Sequence, residues 1–262
     1  WVGTYSGGLQ TYDFSIDGFR DFDPVTVSGQ IARNDVRDIA EDSKGNIWCT
    51  SHGHGVFKIH PDKKNTEHFP GKESGQNHPL ISDWCWAVYI DDEDNVWIGS
   101  NKGLSLITGD GNKIKNFNID SDSSQLYSSS NDIRHIMQDI NKNLWLGSDF
   151  GLFYFNPRDK SIRKFYENDG LVNNSICCIA PGVQSNIWIS TKRGLNRMKI
   201  IPSNKETGSN DSLSANFEYS FQTFDHTDGI HSEEFFSDSC YQCSDRQLIL
   251  GGNSGITYFW PD

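Results

Sequence analysis

One pattern recurs along the whole sequence and limits what the chain can fold into. An aromatic-led apolar stretch, a polar turn, a glycine and a second apolar stretch appear as GNIWCTSHGHGVFKIHP around Trp48, DNVWIGSNKGLSLI around Trp97, KNLWLGSDFGLFYFNP around Trp145 and SNIWISTKRGLNRMK around Trp188. The opening WVGTYSGGLQTYD at Trp1 and the closing LILGGNSGITYFWP match the same frame, with Ile249 in the anchor position. Successive anchors lie 47, 49, 48, 43 and 61 positions apart.

Upstream of each anchor sits another strand with its own columns. Asp42, Asp91 and Asp139 fill one column, and Ile39, Val88, Ile136, Ile179 and Cys240 fill another. A third holds Val36, Cys85, Ile133 and Ile176, and a fourth holds the turn residues Asn34, Asp83, Asn131 and Asn174. After the glycine-led strand a loop leads to a fourth strand with an aromatic residue: Phe22, Phe69, Phe117, Phe165 or Phe224. Each unit therefore reads as four short antiparallel strands, A to D, at a period of about 45 residues, which is that of a propeller blade. A twisted sheet that is apolar on both faces must stack between neighbours. The expected fold is all-β: residues 1–262 form a single β-propeller of four-stranded antiparallel blades, with four complete repeats and two partial ones, in a ring expected to hold seven. The Trp column should pack between blades, and the glycine should serve the B-to-C turn.

Composition agrees, with 24 Gly, 13% aromatic residues and two Met in 262 residues. A formal charge of -12 without a dense Lys/Arg cluster argues against nucleic acid. No apolar run reaches the 18 residues of a membrane helix, and the chain reads as an excised soluble segment. Six Cys are too few for a disulfide scaffold here, and Cys49, Cys85, Cys177 and Cys240 read as buried free thiols. The segment NKETGSNDSLSAN reads as a long C-to-D loop.

The fullest repeat, NDIRHIMQDINKNLWLGSDFGL, resembles the two-component-regulator propeller repeat. The closing DGIHSEEFF and LILGGNSGITYFWPD resemble the last blade of the second propeller in periplasmic sensor regions of Bacteroidetes hybrid two-component histidine kinases. That resemblance implies a periplasmic segment of an inner-membrane protein that senses oligosaccharides from polysaccharide breakdown. It also implies a neighbouring propeller and an immunoglobulin-like domain as partners, signalling through a homodimer to a kinase that controls transcription, and no catalysis in this segment. Two other readings are a lyase-type propeller enzyme acting on a polysaccharide or lactone, and a passive interaction scaffold. Gly182 and Cys243 depart from the Asp column.

Candidate ligand residues lie where the repeat breaks, in the D-to-A and B-to-C loops. Trp84 and Trp86 stand where the preceding repeat has Asp35 and Arg37. An exposed Trp offers a flat apolar platform to a sugar face; the competing reading is inter-blade packing. Arg37, Arg134, Lys192 and Arg193 could grip a carboxylate or sulfate, which would make the ligand anionic, or could pair with the abundant acids. His52 and His54 are further ligand candidates. With Cys49 they form C-x-x-H-x-H, but no second ligand cluster follows, so no metal is expected. No cofactor motif is present. Cys240-x-x-Cys243 lacks a partner pair. The run Asp91 to Asn95 imitates a calcium loop but has Val96 and Lys102 where Gly and Glu are required, and it reads as an A-to-B turn. Glu233, Glu234 and His231 form the one tight acid/base cluster, discounted because neighbouring residues on a strand face opposite ways.

Overall fold

The computed structural model describes residues 1–5, 7–22, 35–72, 79–109, 111, 113–119, 131–202 and 217–261. Sheet I holds β1 (Val2–Thr4), β2 (Gly8–Asp13) and β3 (Gly18–Asp21). Sheet II holds β4 (Val36–Glu41), β5 (Ile47–Ser51), β6 (Gly55–Ile59) and β7 (Thr66–Phe69). Sheet III holds β8 (Cys85–Ile90), β9 (Val96–Ser100), β10 (Gly103–Ile107) and β11 (Ile114–Phe117). Sheet IV holds β12 (Ile133–Gln138), β13 (Leu144–Ser148), β14 (Gly151–Phe155) and β15 (Ile162–Phe165). Sheet V holds β16 (Ile176–Pro181), β17 (Asn186–Thr191), β18 (Gly194–Pro202) and β19 (Phe217–Phe224). Sheet VI holds β20 (Phe235–Gln242), β21 (Leu248–Gly252) and β22 (Gly255–Phe259). Strands follow chain order within every sheet, so each is a meander with the A-B-C-D order of the repeat. The sheets are blades of a β-propeller. Sheets I and VI show three strands among the described residues, lacking A and D respectively.

The chain divides into two compact units, Trp1–Ile133 and Arg134–Asp262. In the first, the pleat sends alternate residues of β5 to opposite faces. Cys49, with its cross-strand neighbour Phe57, packs with Leu9 and Phe22 of sheet I. Trp48 turns the other way, toward Leu80 and toward Cys85, Val88 and Ile98 of sheet III. In the second unit, Trp145, Leu152 and Phe165 of sheet IV meet Ile176, Ile179, Ile189 and Met198 of sheet V. Trp188 joins Phe235, Leu248 and Leu250 of sheet VI. The Trp column thus packs between blades, as its periodicity requires.

Two columns that run separately in the sequence meet in space. Each anchor ring lies against the strand-D aromatic of its own blade, with centroids 5.3 Å apart for Trp48 and Phe69, 5.9 Å for Trp97 and Phe117, 5.8 Å for Trp145 and Phe165, and 5.2 Å for Trp188 and Phe224. Trp1 packs edge-on against Phe22 at 5.0 Å but is itself exposed. The B-to-C glycine has both features expected of it. Gly103 sits at φ 125°, and a Cβ there would come within 2.5 Å of the Phe117 carbonyl oxygen. A hydroxyl closes the same turn: Ser100 Oγ donates to the Gly103 carbonyl at 2.9 Å, and Ser148 to that of Gly151 at 3.0 Å.

Strand A carries a register shift against strand B in sheets II, III, V and VI, between Val36 and Ile39, Cys85 and Ala87, Ile176 and Cys178, and Phe235 and Cys240. In sheet VI the shift takes up three extra residues, whereas in sheets II, III and V the bulge turns one extra residue out of the ladder. In sheet II that residue is Asp38, whose carboxylate accepts the Val88 amide of sheet III at 2.8 Å.

The cysteine expectation needs correction at one position. Cys49, Cys85 and Cys177 are buried free thiols, but Cys240 is bonded to Cys178, 62 residues away, with Cα atoms 6.3 Å apart. The bond ties β16 to β20, and the alternation of each strand brings the two side chains together only once the blades are stacked. The insertion between β18 and β19 lies outside the described residues, as does Asn34.

Candidate functional site

Four of the proposed ligand residues converge in the first unit. Asp35 precedes β4, Arg37 lies on it, His52 follows β5, and Trp84 and Trp86 flank the start of β8. The backbone fixes this meeting: the His52 amide donates to the Asp35 carbonyl at 3.0 Å, and His52 and Trp84 form a β-bridge. The His52 ring then stands edge-on to Trp84 at 4.2 Å and against Trp86 at 4.7 Å. Arg37 donates to Asp35 at 3.1 Å, and its guanidinium lies 5.2 Å from both the Trp86 ring and the Tyr5 ring. Trp84 is 43% exposed and Tyr5 74% exposed. The result is an aromatic surface with one cation and one carboxylate among its rings.

Tyr5 is the member that the repeat did not single out. Its position in the B-to-C turn of the partial first blade was the available signal.

The remaining candidates lie elsewhere. His54 shares no hydrogen bond or ring contact with the cluster among the described residues; its carbonyl accepts from His68 Nε2 at 2.7 Å. Cys49 of the C-x-x-H-x-H pattern lies in the core, where burial pushes its thiol up to about 12. Arg134 pairs with Asp149 at 2.9 Å, and Lys192 with Glu234 at 3.5 Å. Lys192 and Arg193 line a cleft of about 360 Å³ in the second unit, together with Asp225, His226, Glu233, Glu234 and Asn253. The discount applied to Glu233 and Glu234 is corrected here: both precede β20 in a bend, so strand alternation does not separate them, and both face this cleft.

The run Asp91 to Asn95 is a turn built around one carboxylate. Asp91 accepts from the Glu93 and Asn95 amides at 3.0 and 2.9 Å and from the Trp97 indole at 3.1 Å.

The family model described as two component regulator propeller matches residues 30–53 and 127–150. Those two segments match the two-component-regulator propeller repeat. Histidine kinase P4 of Formosa agariphila is 23% identical over 268 residues, covering all of this chain and 18% of that kinase. The extracellular domain of a candidate hybrid two component system from B. thetaiotaomicron superposes with TM-score 0.68 at 21% identity, over 98% of this chain and 32% of that one. Virginiamycin B lyase from Staphylococcus aureus superposes with TM-score 0.57 at 17% identity, over 86% of this chain and 69% of the lyase. The chain thus spans about a fifth of the kinase and a third of the extracellular domain. At these identities the structural likenesses report the fold. Within the regulator-propeller repeat, the matched residues 30–53 include Arg37 and His52 but not Trp84 or Trp86.

Proposed function

We propose that the chain is the ligand-sensing module of an extracytoplasmic receptor of the two-component type, and that it reads an oligosaccharide on the surface around Trp84. The observation that carries this reading is the convergence of Trp84, Trp86, His52, Arg37 and Tyr5 from three successive blades. An exposed ring edged by hydrogen-bonding groups is what a sugar ring requires. Arg37, Arg134 and Lys192 already face carboxylates, which favours an uncharged sugar over an acidic one. The Cys178–Cys240 disulfide fits a compartment that keeps thiols oxidised, and the periplasm is our reading of it. Binding would shift how this module packs against a neighbouring propeller, an immunoglobulin-like domain or a second copy, and so pass the signal to a kinase.

Calorimetry on a neutral and acidic oligosaccharide panel, with product analysis of the same samples, tests the proposal. Heat without turnover is expected, and Trp84→Ala should weaken binding about tenfold, the loss of one stacking platform. Turnover would replace sensing with a propeller enzyme, and silence across the panel would leave a scaffold.

A further inference from the structure

Outside the aromatic surface, the second unit brings together three side chains that can ligate a metal. His135 on β12, Cys178 on β16 and Cys240 on β20 place one ligand atom each within 4.8 Å of one another. They come from three successive blades, so the grouping is a product of stacking and has no sequence motif. We propose that His135, Cys178 and Cys240 form a three-donor site for a thiophilic d10 ion, Cu⁺ or Zn²⁺, which becomes available when the Cys178–Cys240 disulfide is reduced.

Three features support the assignment. The donor set is one imidazole and two sulfurs with no carboxylate, which selects soft and borderline ions over calcium or magnesium. His135 is a spare group: Nε2 lies 3.9 Å from Cys240 Sγ, and the buried Nδ1 has no hydrogen-bond partner among the described residues. Buried polar atoms are nearly always paired, and an exception calls for an explanation. The neighbouring Cys177 is not a fourth donor, because its thiol donates to the Phe235 carbonyl at 3.2 Å. His135 and Cys240 are each half-buried, which leaves the site a way in.

The chemistry balances with a dithiol as reductant. The dithiol gives two electrons and two protons and becomes a disulfide, while Cys178 and Cys240 become thiols. A bound ion then displaces the two thiol protons to solvent. Zn²⁺ with two thiolates and a neutral imidazole is uncharged and takes a water as fourth ligand. Cu⁺ is satisfied by the three donors and leaves one net negative charge.

The test uses the whole chain, reduced by a small dithiol that is then removed without air, and titrated with Cu⁺ or Zn²⁺ against a coloured chelator. One ion per reduced chain is expected, none per oxidised chain, and the tighter of the two arms identifies the ion. Alkylation followed by mass spectrometry should show the ion protecting Cys178 and Cys240 while Cys243 reacts. His135→Ala, which leaves the disulfide in place, should lower affinity at least tenfold. Equal binding by oxidised and reduced chains, unchanged affinity in His135→Ala, or no protection of the two thiols would each overturn the site. Protection spread equally over all six cysteines would overturn it too, since that reports ion binding to thiols at large and not at this site.

Discussion

Asp42 holds a turn and an anchor ring with one carboxylate. It accepts from the Lys44 and Asn46 amides at 3.0 and 2.9 Å and from the Trp48 indole at 3.0 Å. Burial works against its ionised form, but those bonds outweigh it and hold Asp42 below the usual carboxylate range. Where the column changes, the accounting changes with it. In sheet IV the Tyr154 hydroxyl takes the Asp139 carboxylate at 2.7 Å, and the buried Trp145 indole nitrogen has no hydrogen-bond partner among the described residues. In sheet V the residue is Gly182, and the Trp188 indole is likewise without an acceptor among the described residues. Gly182→Asp should therefore stabilise the protein by about 1 kcal/mol, read as a higher urea midpoint at unchanged slope; an unmoved midpoint would show that the sheet V turn cannot present the carboxylate. Asp38 behaves in the opposite sense. Burial raises it to about 6, and the bonds from Val88 and Ile39 only partly oppose that. A carboxyl that holds its proton more tightly when folded adds stability below its unfolded value near 3.8, and that contribution is lost as pH rises through about 6. Denaturation midpoints between pH 4 and 6.5 should fall with rising pH, and Asp38→Asn should flatten that slope.

At the scale of strands and blades, most of the architecture was legible because it is written in residue types at fixed spacing. The Trp, Asp and Gly columns placed the A-to-B turns of sheets II to IV and the B-to-C turns that follow the anchors, and alternation within strands showed which faces are apolar. What spacing could not show was pairing between columns, such as each anchor ring with its strand-D phenyl group. Nor could it show the register shift in strand A of sheets II, III, V and VI, since spacing along one strand does not record which residue it pairs with. Trp145 tests the inter-blade role most directly, being fully buried between sheets IV and V. Trp145→Ala should cost about 3–5 kcal/mol as an uncollapsed core cavity, seen as a lower denaturant midpoint; an unchanged midpoint would remove the packing argument. The candidate site was half legible. Trp84 and Trp86 stood out as breaks in a column, whereas Tyr5 lay in a partial repeat and the alignment of His52 with Trp84 depends on the backbone bridge.

For the molecule as a whole, the two compact units differ in how they are fastened. The second holds the one disulfide found among the described residues. Closing a loop of that separation in the unfolded chain stabilises by up to about 4 kcal/mol, so Cys178→Ala with Cys240→Ala should lower the stability of the second unit by about 2–4 kcal/mol. Hydrogen exchange resolved by segment checks this: protection should fall in β16 to β22 and hold in β4 to β11, and a uniform loss would count against separate fastening. That bond was hidden from the sequence because its two cysteines occupy different offsets from their anchors, ten positions for Cys178 and nine for Cys240. The same offset of ten carries Asp38, Ala87 and His135 in other blades. The tenth position before each anchor thus acts as a socket of fixed place and free content, filled here by an ionisable clasp, a blank, a spare imidazole and half of a covalent bond. Selection can exchange these fittings one at a time, adjusting how firmly adjoining blades hold each other, while the tryptophans that build the blades stay untouched.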